Sequence, residues 1–295
     1  SYHGTIFIDP DIVTPEDYST FINLSYNGRA ERIMFDRRVA DWITSTPYLF
    51  PANYDDSIQI EIQVNPEFGD LASAKLQAEK FAPVIGQLST ELRKDVQTVW
   101  IHKGNYPFGG GNNNLLIHTD YSELNYEEQG ILEETLIHEA AHTSLDMYHA
   151  ENSLWLDAQK ADCGFISSYA EEHPLREDIA ESFLPYFAIR YRPERISDEL
   201  KISIESSISN RIEYFDNLIP YLIKYYKIYS IDLPGHGDSP INKKTNYDQQ
   251  FMTDIICSFI ENKKLTNLTI AGESIGAVLA AVSYTHLTLP TKRIV

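Results

Sequence analysis

The chain has 295 residues, with 43 acidic against 24 basic side chains and a formal net charge of −19. That excess of carboxylates argues against a nucleic-acid partner, which is met by a basic surface. No apolar run reaches membrane-spanning length, no signal peptide is visible, and Cys163 and Cys257 fall in unlike halves of the chain, so a native disulfide is not expected.

In chain order, Ile58, Ile60, Ile62 and Val64 alternate with Gln59, Glu61 and Gln63, the two-residue period of a half-buried strand. A helical stretch over 71–92 follows and is expected to pack on a sheet. Residues 95–102 read as a second strand and residues 115–118 as a third. Between them Tyr106-Pro107-Phe108-Gly109-Gly110-Gly111-Asn112-Asn113-Asn114 forms a turn-rich loop. Its three glycines lack the Lys-Ser/Thr of a phosphate loop, and no helix opens after them. The mixture predicts an α+β fold.

The next segment carries the chemistry. Ile131, Leu132, Leu136 and Ile137, with charges between them, predict a helix that runs into His138-Glu139-Ala140-Ala141-His142. Histidines four apart on a helix project from one face and can grip a single metal ion. The glutamate between them stands where it can take a proton from a zinc-bound water. A catalytic zinc needs a third protein ligand and an open position. A third histidine six residues beyond His142 would supply it in one pattern, but Tyr148 stands there and His149 is one place late. A second helix offers glutamates instead, in Arg176-Glu177-Asp178-Ile179-Ala180-Glu181-Ser182-Phe183, preceded by Pro174. Glu177 and Glu181 share a face, so one can bind the metal while the other holds a ligating histidine. Asp178 becomes the ligand if the helix is rotated. His102, His118 and His173 lack ligand spacing and are read as structural or solvated. Tyr148, Trp155 and Phe165 are read as core.

H-E-x-x-H followed some 35 residues later by E-x-x-A-E resembles the gluzincin metallopeptidases, and within them the branch of lethal-factor-type toxins and Pro-Pro endopeptidases. The resemblance implies a zincin-like domain with a small sheet, an active-site helix and a mainly helical C-terminal part. It makes Glu177 the third zinc ligand beside His138 and His142, Glu181 the group behind a histidine, Glu139 the general base and Tyr169 the oxyanion donor. It also implies a strand before the metal-binding helix whose edge pairs with extended substrate, which Leu115 to Thr119 could supply. A secreted, extracellular or periplasmic enzyme holding one Zn2+ and cutting peptide or protein substrates is the expectation.

From Asn217 onward the character changes. Residues 1–216 carry 37 acidic and 16 basic side chains, whereas residues 217–295 carry 6 and 8. Asp232-Leu233-Pro234-Gly235-His236-Gly237-Asp238-Ser239-Pro240, and then a strand into Gly272-Glu273-Ser274-Ile275-Gly276, resemble an α/β-hydrolase with its nucleophile elbow. Only 21 residues follow Ser274, too few for the acid and base of that fold, so residues 217–282 are expected to be an incomplete hydrolase segment with Ser274 inactive. Residues 283–295 fit no continuation of the hydrolase helix and resemble read-through sequence. A chimeric reading frame and a natural fusion both remain open. The reading is a zinc endopeptidase over 1–216. The alternatives are a serine hydrolase acting through Ser274 and a non-catalytic zinc-bound domain that binds peptides.

Overall fold

The computed structural model describes residues 3–5, 11–162, 164–217, 231, 233–234, 239, 246–263, 265, 270 and 275–286. The chain divides into two compact units, Ser1–Ile219 and Pro220–Val295.

The first unit is an α+β body built on a six-stranded mixed sheet. Its strands are β1 (Phe21–Leu24), β4 (Tyr48–Tyr54), β5 (Gln59–Val64), β6 (Thr98–His102), β7 (Gly109–Gly111) and β8 (Asn114–His118), in the order β1-β4-β5-β6-β8-β7. β5, β6 and β8 run parallel, while β1, β4 and β7 are antiparallel to their neighbours. Every residue of β8 is buried, as befits a strand covered on both faces. A hairpin of β2 (Arg32–Asp36) and β3 (Asp41–Ser45) lays Met34 against Trp100 and Leu116 of that sheet.

The helix expected over 71–92 is broken. α1 (Leu71–Ile85) is capped by Asp70, whose carboxylate accepts from Ser73 N, and it stops at Gly86. A Cβ at Gly86 would stand 2.8 Å from the backbone nitrogen of Phe21, so the helix end can approach β1 only through a glycine. A short α2 (Thr90–Arg93) follows. The turn-rich loop resolves into a hairpin, because Asn112 and Asn113 adopt φ of 52° and 55° and join β7 to β8 in two residues. Paired positive φ is the geometry of a tight hairpin turn, and asparagine tolerates it. β8 is thus flanked on both sides, and the free edge belongs to β7. Leu115 to His118 is therefore an inner strand rather than the expected edge, and Thr119 already belongs to the following helix.

After α3 (Thr119–Tyr121) comes α4 (Leu132–Leu145), buried along almost its whole length between β7 and a later helix, α7. α5 (Ser153–Ala161), α6 (Ser168–Glu172), α7 (Asp178–Tyr191) and α8 (Asp198–Asp216) complete the unit. Trp155 is fully buried against Tyr214 and Phe215, as core, but Tyr148 is exposed, since α4 widens into a π turn over Asp146–Ala150 that turns it outward. Arg211 of α8 is fully buried, bonded to Asp162 and Asp178. That network ties α7 to α8 and fixes the start of α7.

In the second unit, α9 (Gln249–Asn262) and α10 (Ile275–His286) pack through Met252, Ile256, Ile260 and Leu279. α10 runs through Ser283 to His286, across the boundary at which the sequence changes character. Alanine-rich sequence carries the helix onward and no proline intervenes before Pro290. Ser274 and Cys163 lie outside the described residues.

Candidate metal centre

α4 and the start of α7 bring three ligand atoms together. His142 Nε2 lies 3.1 Å from His138 Nε2 and 3.0 Å from Glu177 Oε2, and His138 Nε2 lies 3.6 Å from the same oxygen. Zinc binds nitrogen and oxygen ligands at about 2.0–2.2 Å in a tetrahedron, which separates the ligand atoms by about 3.3 Å. The triangle has that size. Among the described residues it is the one group of three or more such side chains that could hold a metal ion.

The surroundings aim these atoms at one another. His142 Nδ1 is 2.8 Å from Asp146 Oδ2, one helical turn on, and His138 Nδ1 faces Glu181 Oε1 at 3.4 Å. With a proton on each Nδ1, towards Asp146 and Glu181, both Nε2 lone pairs would be directed at the Glu177 carboxylate. Three electron pairs converging in a buried site repel one another unless a positive charge lies between them, so the donor set fits a divalent cation. In its absence the same geometry attracts a proton. Burial opposes charge on His142, yet the hydrogen bonds to Asp146 and Glu177 outweigh it and raise its pKa to about 10. Burial likewise opposes charge on Glu177, and the two histidines overcome it and hold the carboxyl well below its ordinary range.

Glu177 sits at the N-cap of α7, and its other oxygen, Oε1, accepts from the Tyr169 hydroxyl at 3.1 Å and forms an ion pair with Arg176 Nε at 3.1 Å. The carboxylate is thereby held with Oε2 towards the histidines. Of the three acidic candidates on this helix, Glu177 faces the histidine pair, Glu181 backs His138, and Asp178 turns away to Arg211 and Gln159. Tyr169, from α6, lines the same cleft with its hydroxyl engaged by Glu177. His149 bonds Tyr214, and His102 and His118 stack on one another away from the cluster.

Glu139 points into a cleft of about 380 Å3 that is also lined by His138, His142, Tyr169 and Glu177. β7 forms its wall. A Cβ at Gly110 would lie 1.8 Å from the Glu139 carbonyl oxygen, so the strand and the helix touch backbone to backbone. Gly111 N donates to Thr143 Oγ1 at 2.8 Å, and Thr143 donates in turn to Asn114 O. Sequence reading passed over Asp146 and Ser167. Asp146 could have been found by its four-residue spacing from His142. Ser167 donates to Glu181 Oε2 at 2.6 Å, and nothing in its local sequence marks that reach to another helix.

No family model matches the chain, and no solved structure matches it. Two curated proteins match parts of it. "Putative esterase/lipase 2" of Mycoplasma genitalium is 32% identical over 75 residues, 24% of this chain and 27% of that protein. "Putative esterase/lipase 1" of Mycoplasma pneumoniae is 37% identical over 57 residues, 19% of this chain and 21% of that protein. The chain thus spans about a quarter of the length of these relatives. It contains a segment similar to proteins named as hydrolases. Among the described residues no helix is long and apolar enough to cross a membrane.

Proposed function

We propose that the first unit is a zinc-dependent endopeptidase, with the metal held by His138, His142 and Glu177. The observation that carries this reading is the triangle of Nε2, Nε2 and Oε2 atoms at 3.0–3.6 Å beside a free glutamate in an open cleft. Bound zinc supplies a Lewis acid that polarises the scissile carbonyl and lowers the pKa of water. Glu139 accepts the proton from the attacking water and returns it to the leaving amine. Tyr169, released from Glu177, donates its hydroxyl to the oxyanion. Asp146 and Glu181 hold the ring orientations of the two histidines. The outer edge of β7 at Gly110, its exposed residue, receives the extended peptide as an added strand.

The test is to incubate the full chain with a diverse peptide library, with and without a chelator, and read cleavage by mass spectrometry. Cuts that vanish with chelator and return with zinc support the reading. Glu139→Gln is expected to lower kcat/KM by about 10²–10⁴ while zinc content stays at the wild-type level. Near-normal cleavage by that variant overturns the assigned mechanism. Zinc binding without any cleavage favours a peptide-binding domain.

A second reading rests on the partial matches to proteins named esterase/lipase, together with the Gly272-Glu273-Ser274-Ile275-Gly276 motif. There Ser274 is the nucleophile of a serine hydrolase. Labelling of Ser274 by a fluorophosphonate probe supports this reading, and an unlabelled, folded chain counts against it.

A further inference from the structure

Two arginines stand side by side in the turn between β2 and β3, and they are used differently. Arg38 is consumed by structure: its guanidinium bonds both Asp36 and Glu67, at 2.8 and 2.5 Å. Its backbone nitrogen also donates to Asp36 Oδ1, and Val39 N closes on Asp36 O, so the turn is pinned. Arg37 is left over. It is half-buried, it lines the same cleft as His138 and Glu139, and among the described residues no carboxylate lies within ion-pair reach of it. Arg176, another cation of that cleft, is already paired with Glu177.

The room that Arg37 occupies is also specific. Its Nη2 would lie 2.7 Å from a Cβ placed on Gly109, the first residue of β7. The missing side chain therefore lets a guanidinium reach over the strand that walls the cleft. A half-buried guanidinium without a partner loses hydration and gains nothing in return until a ligand supplies an acceptor. Its planar fork matches a carboxylate with two parallel hydrogen bonds.

We propose that Arg37 is a specificity-determining residue that receives a carboxylate of the substrate, so that the cleft selects peptides bearing an acidic group near the scissile bond. This rests on the peptidase reading of the same cleft. The carboxylate belongs either to an Asp or Glu side chain or to the C-terminus of a short peptide, and both present the same fork to Arg37. The strongly acidic surface of the unit repels such a ligand at long range, but that repulsion is screened beyond about 8 Å at physiological salt, whereas the contact with Arg37 is direct.

The experiment uses the full, zinc-supplemented chain and matched fluorescent peptides. One set exchanges Glu for Gln at each position around the cut, and the other exchanges a free C-terminal acid for its amide. The expected result is a preference for the carboxylate form of about tenfold or more in kcat/KM, the scale of a charge-assisted hydrogen bond. The set that shows the preference identifies the source. Arg37→Gln is expected to bring the ratio to about one, and Arg37→Glu to reverse it in favour of the uncharged forms. Equal rates with wild type in both sets, or a preference surviving in Arg37→Gln, overturn the proposal. If no peptide is cut, the peptidase reading fails separately. Arg37 is then judged by fluorescence anisotropy with the same peptides: tighter binding of the carboxylate forms, lost in Arg37→Gln, supports the proposal, and equal binding overturns it.

Discussion

The first unit holds two pairs of facing histidines. His138 and His142 lie one turn apart on α4 with their Nε2 atoms 3.1 Å apart, whereas His102 and His118 sit opposite each other on β6 and β8 with rings stacked at 5.5 Å. Both pairs are buried or nearly so, and both have carboxylates nearby. The difference is what those carboxylates are already doing. Around the first pair, Asp146 and Glu181 each face a histidine ring nitrogen, and Glu177 faces both histidines and the exposed Arg176. Around the second, Asp36 and Glu67 are both engaged by Arg38. Asn65 adds a further constraint. Its Oδ1 accepts from Glu67 N, so its amide NH2 faces His102 Nδ1, and a proton there would oppose another donor. Burial therefore prevails at His102, whose pKa falls to about 4, and at His118, which is also lowered. At His142 the carboxylates prevail. What the neighbouring carboxylates are bonded to, more than burial, separates the proposed metal site from the buried histidine stack.

The comparison breaks most completely if the wrong pair holds the metal. His142→Ala is expected to reduce bound zinc, measured by mass spectrometry after dialysis, from about one per chain to near none, and cleavage to background. His118→Ala should leave zinc content unchanged. The reverse pattern would falsify the assignment. The next largest effect concerns the wall of the cleft. Gly110→Ala forces a methyl into the carbonyl of Glu139, and either β7 or α4 must move. Overpacking of this kind costs about 1–3 kcal/mol or more. Because the displaced residue is Glu139, cleavage should fall further than the melting temperature suggests, and an alanine variant with normal kcat would show that strand and helix can part freely.

The histidine stack makes its own prediction, with a sign opposite to that of a salt-bridged histidine. The folded pKa of His102, about 4, lies below the ordinary value of 6.5, so the unfolded chain binds the extra proton between them. This contribution is fully present above pH 6.5 and is lost as pH falls towards 4. At pH 5 the loss is on the order of 2 kcal/mol. His102→Gln should flatten the fall in urea-unfolding stability between pH 7 and 5, relative to wild type. An unchanged slope would mean that other groups carry it.

Much of the site was legible because its parts are local. A four-residue spacing places two histidines on one face whatever surrounds the helix, and Glu177 with Glu181 follows the same rule. The hairpin strands β2 and β3 and the edge strand β7 were not legible. β7 is three glycines, with no side chains to show a two-residue period, and each answers to something distant or local of its own: Gly109 to the Arg37 guanidinium, Gly110 to the Glu139 carbonyl, and Gly111 to its φ of 127°. The break in the helix expected over 71–92 has the same origin, since Gly86 answers to a strand more than sixty residues earlier. Sequence periodicity reports what one element buries, not which distant backbone it must approach.

The smallest effect concerns that kind of distant partner. Ser167 caps α6 by accepting from Ala170 N, and its hydroxyl donates to Glu181, the carboxylate behind His138. Ser167→Ala removes the restraint on Glu181 without touching a ligand atom. Loss of such an outer hydrogen bond typically costs 10–100-fold in metal affinity, and the lower end is expected here because Glu181 stays buried in place. The cap contributes separately, about 1 kcal/mol of stability. Zinc affinity by competitive chelation, measured for Ser167→Ala, Glu181→Gln and the double variant, separates the two. If Ser167 acts through Glu181, the double variant binds zinc no more weakly than Glu181→Gln alone. If the effects multiply, Ser167 acts only as a helix cap, and the chain from α6 through α7 to the metal ligand is not a functional link.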